Sequence, residues 1–184
     1  MKRNVFILLA FLAIGMTASA QTEKGSWLVG GNLSLNTASQ NTLISVSPSA
    51  GYFFINNFAA GVNANIAYSK FGQNKTTILG VGPFARYYFG TMNIRPLLEG
   101  NLNFTSNKSS NSSTSTGSTT ENGTGFFLGG GLAAFINRNV AIEGLAGYDH
   151  TSVKGSDGSG GFALKIGFQV YLSKAQVERM KTQM

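Results

Sequence analysis

Phe162-Ala163-Leu164-Lys165-Ile166-Gly167-Phe168-Gln169-Val170-Tyr171-Leu172 alternates from end to end. Phe162, Leu164, Ile166, Phe168, Val170 and Leu172 fall on one side of an extended chain. Ala163, Lys165, Gly167, Gln169 and Tyr171 fall on the other. Successive side chains of a strand point to opposite faces, so period two reads as a strand with one apolar face and one mixed face. The run has the roughly 9–11 residues that a strand needs to cross a bilayer at a tilt.

The same pattern recurs toward the N-terminus. In Leu79–Phe89, Leu79, Val81, Ala85, Tyr87 and Phe89 oppose Gly80, Gly82, Arg86 and Tyr88; in Ile44–Phe54, Ile44, Val46, Ala50, Tyr52 and Phe54 oppose Ser45, Ser47, Ser49 and Gly51. In Pro96–Phe104, Leu98, Leu102 and Phe104 oppose Glu99, Asn101 and Asn103, while Phe53, Phe84 and Leu97 break the pattern by falling on the polar face. Eight strands are expected, over residues 25–37, 42–55, 58–70, 75–89, 92–106, 124–136, 140–152 and 160–172. Pro48, Pro83 and Pro96 lie inside them and call for bulges or ladder breaks, because proline has no N–H to donate.

The connections carry a second signal. Asn56-Asn57, Gly90-Thr91 and Asn137-Arg138-Asn139 are tight turns. Thr37–Asn41, Phe71–Asn74, Asn107–Gly123 and Val153–Ser159 are looser, giving a strict alternation of short and long. An even number of long strands with alternating connections predicts an all-β fold: an eight-stranded antiparallel up-and-down transmembrane β-barrel with short periplasmic turns and longer external loops. Aromatics should form two interfacial belts, with Trp27, Tyr52, Phe54, Phe58, Tyr87, Phe89 and Phe135 near one end and Tyr68, Phe71, Phe104 and Tyr148 near the other.

Composition agrees. Charged residues are 11% of 184, against about 25% in soluble domains, while glycine (24) and phenylalanine (14) are abundant. There is no cysteine, which excludes disulfides, thiol catalysis, Cys-ligated zinc and a lipoprotein anchor on Cys. Lys2 and Arg3, the apolar run Val5–Met16 and Ala18-Ser19-Ala20 have the three parts of a secretory signal, so residues 1–20 are expected to be a signal peptide cleaved after Ala20. Its removal leaves 12 Lys plus Arg against 7 Asp plus Glu, a charge of +5. These bases are dispersed, which argues against nucleic acid as a partner.

The signal, the eight-strand meander, Leu128-Gly129-Gly130-Gly131-Leu132 and Phe135–Gly144 resemble the small bacterial outer-membrane β-barrel family, with its OmpA- and OmpX-like, porin-like members. The resemblance implies a barrel domain over 21–172, residence in the cell outer membrane, and contact with outer-membrane lipids and the barrel-assembly machinery. Many such barrels end on the aromatic of the last strand; here Tyr171-Leu172 is followed by a polar tail, residues 173–184. Ala175, Val177 and Met180 in it have loose helical spacing, suggesting a short periplasmic helix too small for a cell-wall-binding domain.

On this register Arg86, Arg95, Glu99, Glu143, Lys165 and Gln169 face inward. Charges of both signs in a narrow barrel should pair, since unpaired buried charge is costly. They form either a structural plug or a gated path for ions or small solutes; an eight-strand interior is only wide enough for side chains to fill, which favours the plug. His150 and Ser152 make a His-x-Ser pair similar to that of outer-membrane lipid A deacylases. The acid such a pair requires is matched here only by Asp149 and Asp157, and the rest of that motif is absent. Gly80-Val81-Gly82-Pro83-Phe84-Ala85 continues as strand rather than helix and is no dinucleotide site. One histidine and no acidic cluster leave metal binding and cofactors unsupported. The Ser-, Thr- and Asn-rich stretch Asn107–Gly123 is the expected longest external loop and the expected contact surface for a ligand. The reading is thus a non-enzymatic outer-membrane barrel with a structural or surface-interaction role; the alternatives are a narrow channel and a lipid-modifying enzyme.

Overall fold

In the computed structural model, residues 22–38, 41–71, 74–111, 119–153 and 158–182 are described. Eight strands follow one another: β1 (Trp27–Ala38), β2 (Asn41–Ile55), β3 (Phe58–Phe71), β4 (Asn74–Tyr88), β5 (Ile94–Asn111), β6 (Thr119–Phe135), β7 (Val140–Val153) and β8 (Ser159–Leu172). Each pairs antiparallel with its sequence neighbour, and β1 pairs with β8 from Trp27↔Leu172 to Asn36↔Ala163, closing the barrel. Closure satisfies the backbone without a free edge, the condition for strands to stand in hydrocarbon. The helix α1 (Lys174–Thr182) follows β8 directly. No helix among the described residues is long and apolar enough to cross a membrane, which says nothing of the strands.

The alternation sorts the faces as period two requires. Phe162, Leu164, Ile166 and Phe168 are exposed on the outside, whereas Ala163, Lys165, Gln169 and Tyr171 are buried inside. The outward set continues round the barrel through Leu33, Val46, Val62, Val81, Leu102, Leu128 and Ile142. Such a band is a costly surface in water and a suitable one in lipid.

All three prolines point outward. The β2–β3 ladder skips from Val46↔Ile66 to Ser49↔Asn63, and β4–β5 skips from Val81↔Phe104 to Phe84↔Asn101. Pro48 and Pro83 sit in these gaps while still pairing with Gly31 and Val62 on the opposite side. The missing N–H is thus accommodated by a local ladder break. The tight turns are built as their residues demand: Asn57 and Gly90 adopt positive φ (67° and 76°).

Two expectations fail. Most of Asn107–Gly123 is strand, with pairs Ser106↔Asn122, Asn107↔Glu121, Lys108↔Thr120 and Ser109↔Thr119. Ladder bonds come from the backbone, and Ser and Thr extend a register already set by the membrane-spanning part without needing an apolar face. Connections do not alternate strictly in length either, because β1–β2 and β3–β4 are separated by only residues 39–40 and 72–73. The first strand starts later than expected: Gly25 (φ 94°) turns the segment 22–26 under the barrel, where Thr22 and Ser26 are buried.

Aromatic side chains ring the turn end. Trp27 meets Tyr52 edge-on at 5.4 Å, Tyr52 meets Phe54 at 5.2 Å, and Tyr87 meets Phe89 at 4.9 Å. Phe135 departs from its expected place, packing against Tyr171 (4.9 Å) under the buried interior cluster. At the loop end Phe104, Phe126 and Tyr148 are exposed; the side chains of Tyr68 and Phe71 lie outside the described residues.

Candidate functional site: the barrel interior

The interior has three levels. At the turn end lies an apolar floor: Leu28, Phe53, Tyr88, Leu97 and Tyr171 are each at most 2% exposed. The rings of Phe53, Tyr88 and Tyr171 form a triangle, with centroids 6.0, 6.2 and 6.1 Å apart. Phe53, Phe84 and Leu97, which interrupt the alternation in sequence, point inward and fill space. Glycines make the room: a Cβ on Gly51 would lie 2.8 Å from Cζ of Phe84, and one on Gly147 would lie 2.8 Å from Cε2 of Phe127. Neither distance is tolerable, so these rings require glycine opposite them.

Above the floor is a charge cluster. Arg86 donates through Nε to Glu99 Oε2 (2.6 Å) and through Nη1 to Glu143 Oε2 (2.7 Å). The hydroxyls of Tyr171 and Tyr88 reach Glu143 Oε1 at 2.7 and 3.1 Å. Lys165 Nζ lies 3.5 Å from Glu99 Oε1 and 3.3 Å from the centroid of the Phe127 ring. The strands explain the meeting: Arg86 and Glu99 are direct cross-strand partners on β4 and β5, while β7 and β8 supply Glu143 and Lys165 across the lumen. Two cations answer two carboxylates, and the tyrosine hydroxyls occupy lone pairs that would otherwise be orphaned, so the arrangement avoids the penalty of unpaired buried charge.

All six inward-facing candidates are buried, but they do not form one network. Arg86, Glu99, Glu143 and Lys165 come together. Gln169 stands apart, its Nε2 at 3.5 Å from Asn32 Oδ1. Arg95 lies toward the turns, donating to Thr22 Oγ1 (2.7 Å) and to the carbonyls of Met92 (2.9 Å) and Thr91 (3.3 Å), with its guanidinium 4.8 Å from the Phe135 centroid. It staples segment 22–26 to the floor, helped by Thr22 Oγ1 donating to Asn57 Oδ1 (2.7 Å). The sequence reading placed Tyr88 and Tyr171 on the inward face without assigning them to the cluster; a paired carboxylate on the same face was the signal for them.

Helix α1 starts at this end and is tied to the β6–β7 turn. Ser173 and Gln176 form a capping box: Gln176 Oε1 accepts from Ser173 N (2.9 Å) and Gln176 N donates to Ser173 Oγ (3.4 Å). Asn139, in the turn between β6 and β7, donates to Gln176 Oε1 (2.8 Å) and to the carbonyl of Tyr171 (2.7 Å).

Toward the loop end the interior opens into a chamber of about 80 Å³ lined by serines and asparagines, with Arg86, Glu99, Lys165 and Asp149 also in its wall. His150 faces the other way. Its ring packs on the outer surface against Phe126 (5.5 Å) and Tyr148 (6.4 Å), and Ser152 lines an outer groove with Phe104. Asp149 therefore points to the opposite face of β7 from His150 and does not supply the acid of a catalytic triad; Asp157 lies outside the described residues. Among the described residues there is no cluster of three metal-ligating side chains.

A family profile described as "Outer membrane protein beta-barrel domain" matches residues 6–169. Similar solved structures include Neisserial surface protein A (18% identity, 82% of this chain and 97% of that one, TM-score 0.60). The N-terminal β-barrel domain of Pseudomonas aeruginosa OprF is 16% identical over 81% of this chain and 98% of that one, with a TM-score of 0.55. Ail, the attachment invasion locus protein of Yersinia pestis, is 13% identical over 81% and 99%, with a TM-score of 0.53. No curated protein matches the sequence significantly. At these identities the structures speak for the fold, and the profile, spanning most of the chain, speaks for the family. With a closed eight-strand barrel, an apolar outer band and a matching profile, the chain belongs to the outer-membrane protein β-barrel domain family.

Proposed function

We propose that this outer-membrane barrel is a sealed, non-catalytic protein with a structural or surface-interaction role. The observation that carries the reading is the blocked lumen: the floor of Phe53, Tyr88, Leu97 and Tyr171 underlies the Arg86–Glu99–Glu143–Lys165 cluster, and every one of these residues is buried, at most 8% exposed. A conducting path would have to break at least two buried ion pairs and move a packed aromatic layer, and breaking one such pair costs about 3–5 kcal/mol. The β5–β6 hairpin supports a surface role, because its polar ladder runs on from Phe104 to Asn111, about 20 Å of extended chain beyond the aromatic level.

The turns then face the periplasm and the hairpin tips face outward, with the barrel inserted by the assembly machinery and surrounded by outer-membrane lipid. Signal cleavage after Ala20 fits this arrangement, since the buried, hydrogen-bonded Thr22 follows almost at once. The test is solute efflux from vesicles carrying the refolded protein, with insertion checked by a heat-modifiable gel band. Retention of small ions and sugars is expected; rapid leakage with correct insertion would replace this reading by the narrow channel.

A further inference from the structure

We propose that the loop-side chamber is a binding site for a small monovalent cation. Among the described residues, Ser49 Oγ, Asn63 Oδ1 and Thr105 Oγ1 are buried without a hydrogen-bond partner, and all three residues line the chamber. Ser49 and Asn63 belong to side chains only 8% and 7% exposed, and they are direct partners across β2 and β3. Buried polar atoms are nearly always paired, so three around one cavity mark a place where something is held.

The orientation of neighbouring amides decides what that is. Asn63 Nδ2 donates to Asn103 Oδ1 (3.0 Å), Asn103 Nδ2 to Asn101 Oδ1 (2.9 Å), and Asn101 Nδ2 to Glu99 Oε1 (3.1 Å). One N–H of each amide in this chain is directed toward the buried carboxylate, which leaves the oxygen of Asn63 as its free end. The chamber thus presents one amide oxygen, an acceptor, and two hydroxyl oxygens whose lone pairs can accept as well. Arg86 and Lys165 also line the chamber, but Glu99 and Glu143 engage both, and Asp149 in the wall, with no ion-pair partner among the described residues, is the carboxylate left over.

Neutral oxygens with one carboxylate suit a monovalent cation or a primary ammonium. Glu99 is already engaged by Arg86, Asn101 and Lys165, so Asp149 is the one carboxylate free to meet an ion, a single charge that matches a monovalent one. A volume of about 80 Å³ admits an ion with a few waters. The floor closes the other end, so occupancy requires no conduction, and the site stands whether or not the barrel has a surface partner.

The test uses the full-length barrel purified in detergent. Crystals are soaked in rubidium or thallium(I) salt and, separately, in bromide, and ²³Na relaxation is measured in solution for wild type, Asp149→Asn and Asn63→Leu. We expect an anomalous peak beside Asn63 Oδ1 and Ser49 Oγ with the cations and none with bromide. The excess sodium relaxation should weaken about tenfold in Asp149→Asn, which preserves shape while removing one charge. Because Asn63→Leu puts folding at risk, Asp149→Asn is decisive if that variant is not heat-modifiable. Water alone in the chamber, a bromide peak there, or relaxation unchanged in folded Asp149→Asn would overturn the proposal.

Discussion

Glu143 holds the interior together, and its removal gives the sharpest stability prediction. It is 0% exposed and accepts from Arg86 (2.7 Å), Tyr171 (2.7 Å) and Tyr88 (3.1 Å). Glu143→Ala leaves a guanidinium N–H and two phenol hydroxyls facing an apolar gap. Removing one partner of a buried pair costs about 3–5 kcal/mol, and Arg86 keeps Glu99, so the lower end, about 3 kcal/mol, is expected. Glu143→Gln retains an acceptor for the tyrosines and loses only the charge, for about 1–2 kcal/mol. The double replacement Arg86→Met with Glu143→Leu removes the pair and leaves Glu99 matched with Lys165 (3.5 Å). It should be less destabilised than Glu143→Ala, because apolar residues of similar volume replace a buried pair at little cost. Urea titration of vesicle-inserted protein measures this, reading the single tryptophan, Trp27, beside Tyr52 at the turn-end rim, with the gel shift as a second probe. All three variants within about 0.5 kcal/mol of wild type, or a double variant as unstable as the sum of its singles, would refute the reasoning.

On the lipid face, Ile166→Arg should cost about 2–4 kcal/mol in the same titration, while Lys165→Gln one position away costs less, because β8 alternates between lipid and lumen. Gly51→Val should destabilise by about 1–3 kcal/mol through the ring of Phe84, and Phe84→Leu should recover part of the loss. Ser173→Ala should fray helix α1 by about 1 kcal/mol, seen as faster amide exchange at the start of the helix with the barrel ladder unchanged. His150→Ala and Ser152→Ala should leave lipid composition unaltered when the protein is expressed in its membrane, as mass spectrometry of the extracted lipid would record.

The strands were legible because β8 alternates without ambiguity and the other runs nearly so, and a one-residue slip would have reversed every face. That parity also put Arg86, Glu99, Glu143 and Lys165 inside. What it could not supply was distance: nothing in the sequence separates Arg95, tied to Thr22, from the four that meet. Phe53, Phe84 and Leu97 read as errors in the alternation because lumen and polar were treated as one; a narrow barrel fills its interior with whatever fits, and aromatic rings opposite Gly51 and Gly147 fit. The hairpin beyond Ser106 was missed since composition reports burial, and a ladder above the membrane buries nothing. His150 and Asp149, adjacent in sequence, illustrate the opposite gain: on a strand, neighbours face apart, so Asp149 is not the acid for His150.

The sealed lumen is the central claim, and single-channel recording of the refolded barrel in planar bilayers tests it most directly. Wild-type protein that is folded by its gel shift should be silent, and so should Arg86→Met with Glu143→Leu, whose aromatic floor is intact. Discrete, reproducible openings of the wild type, altered by replacing Arg86 or Glu143, would contradict it.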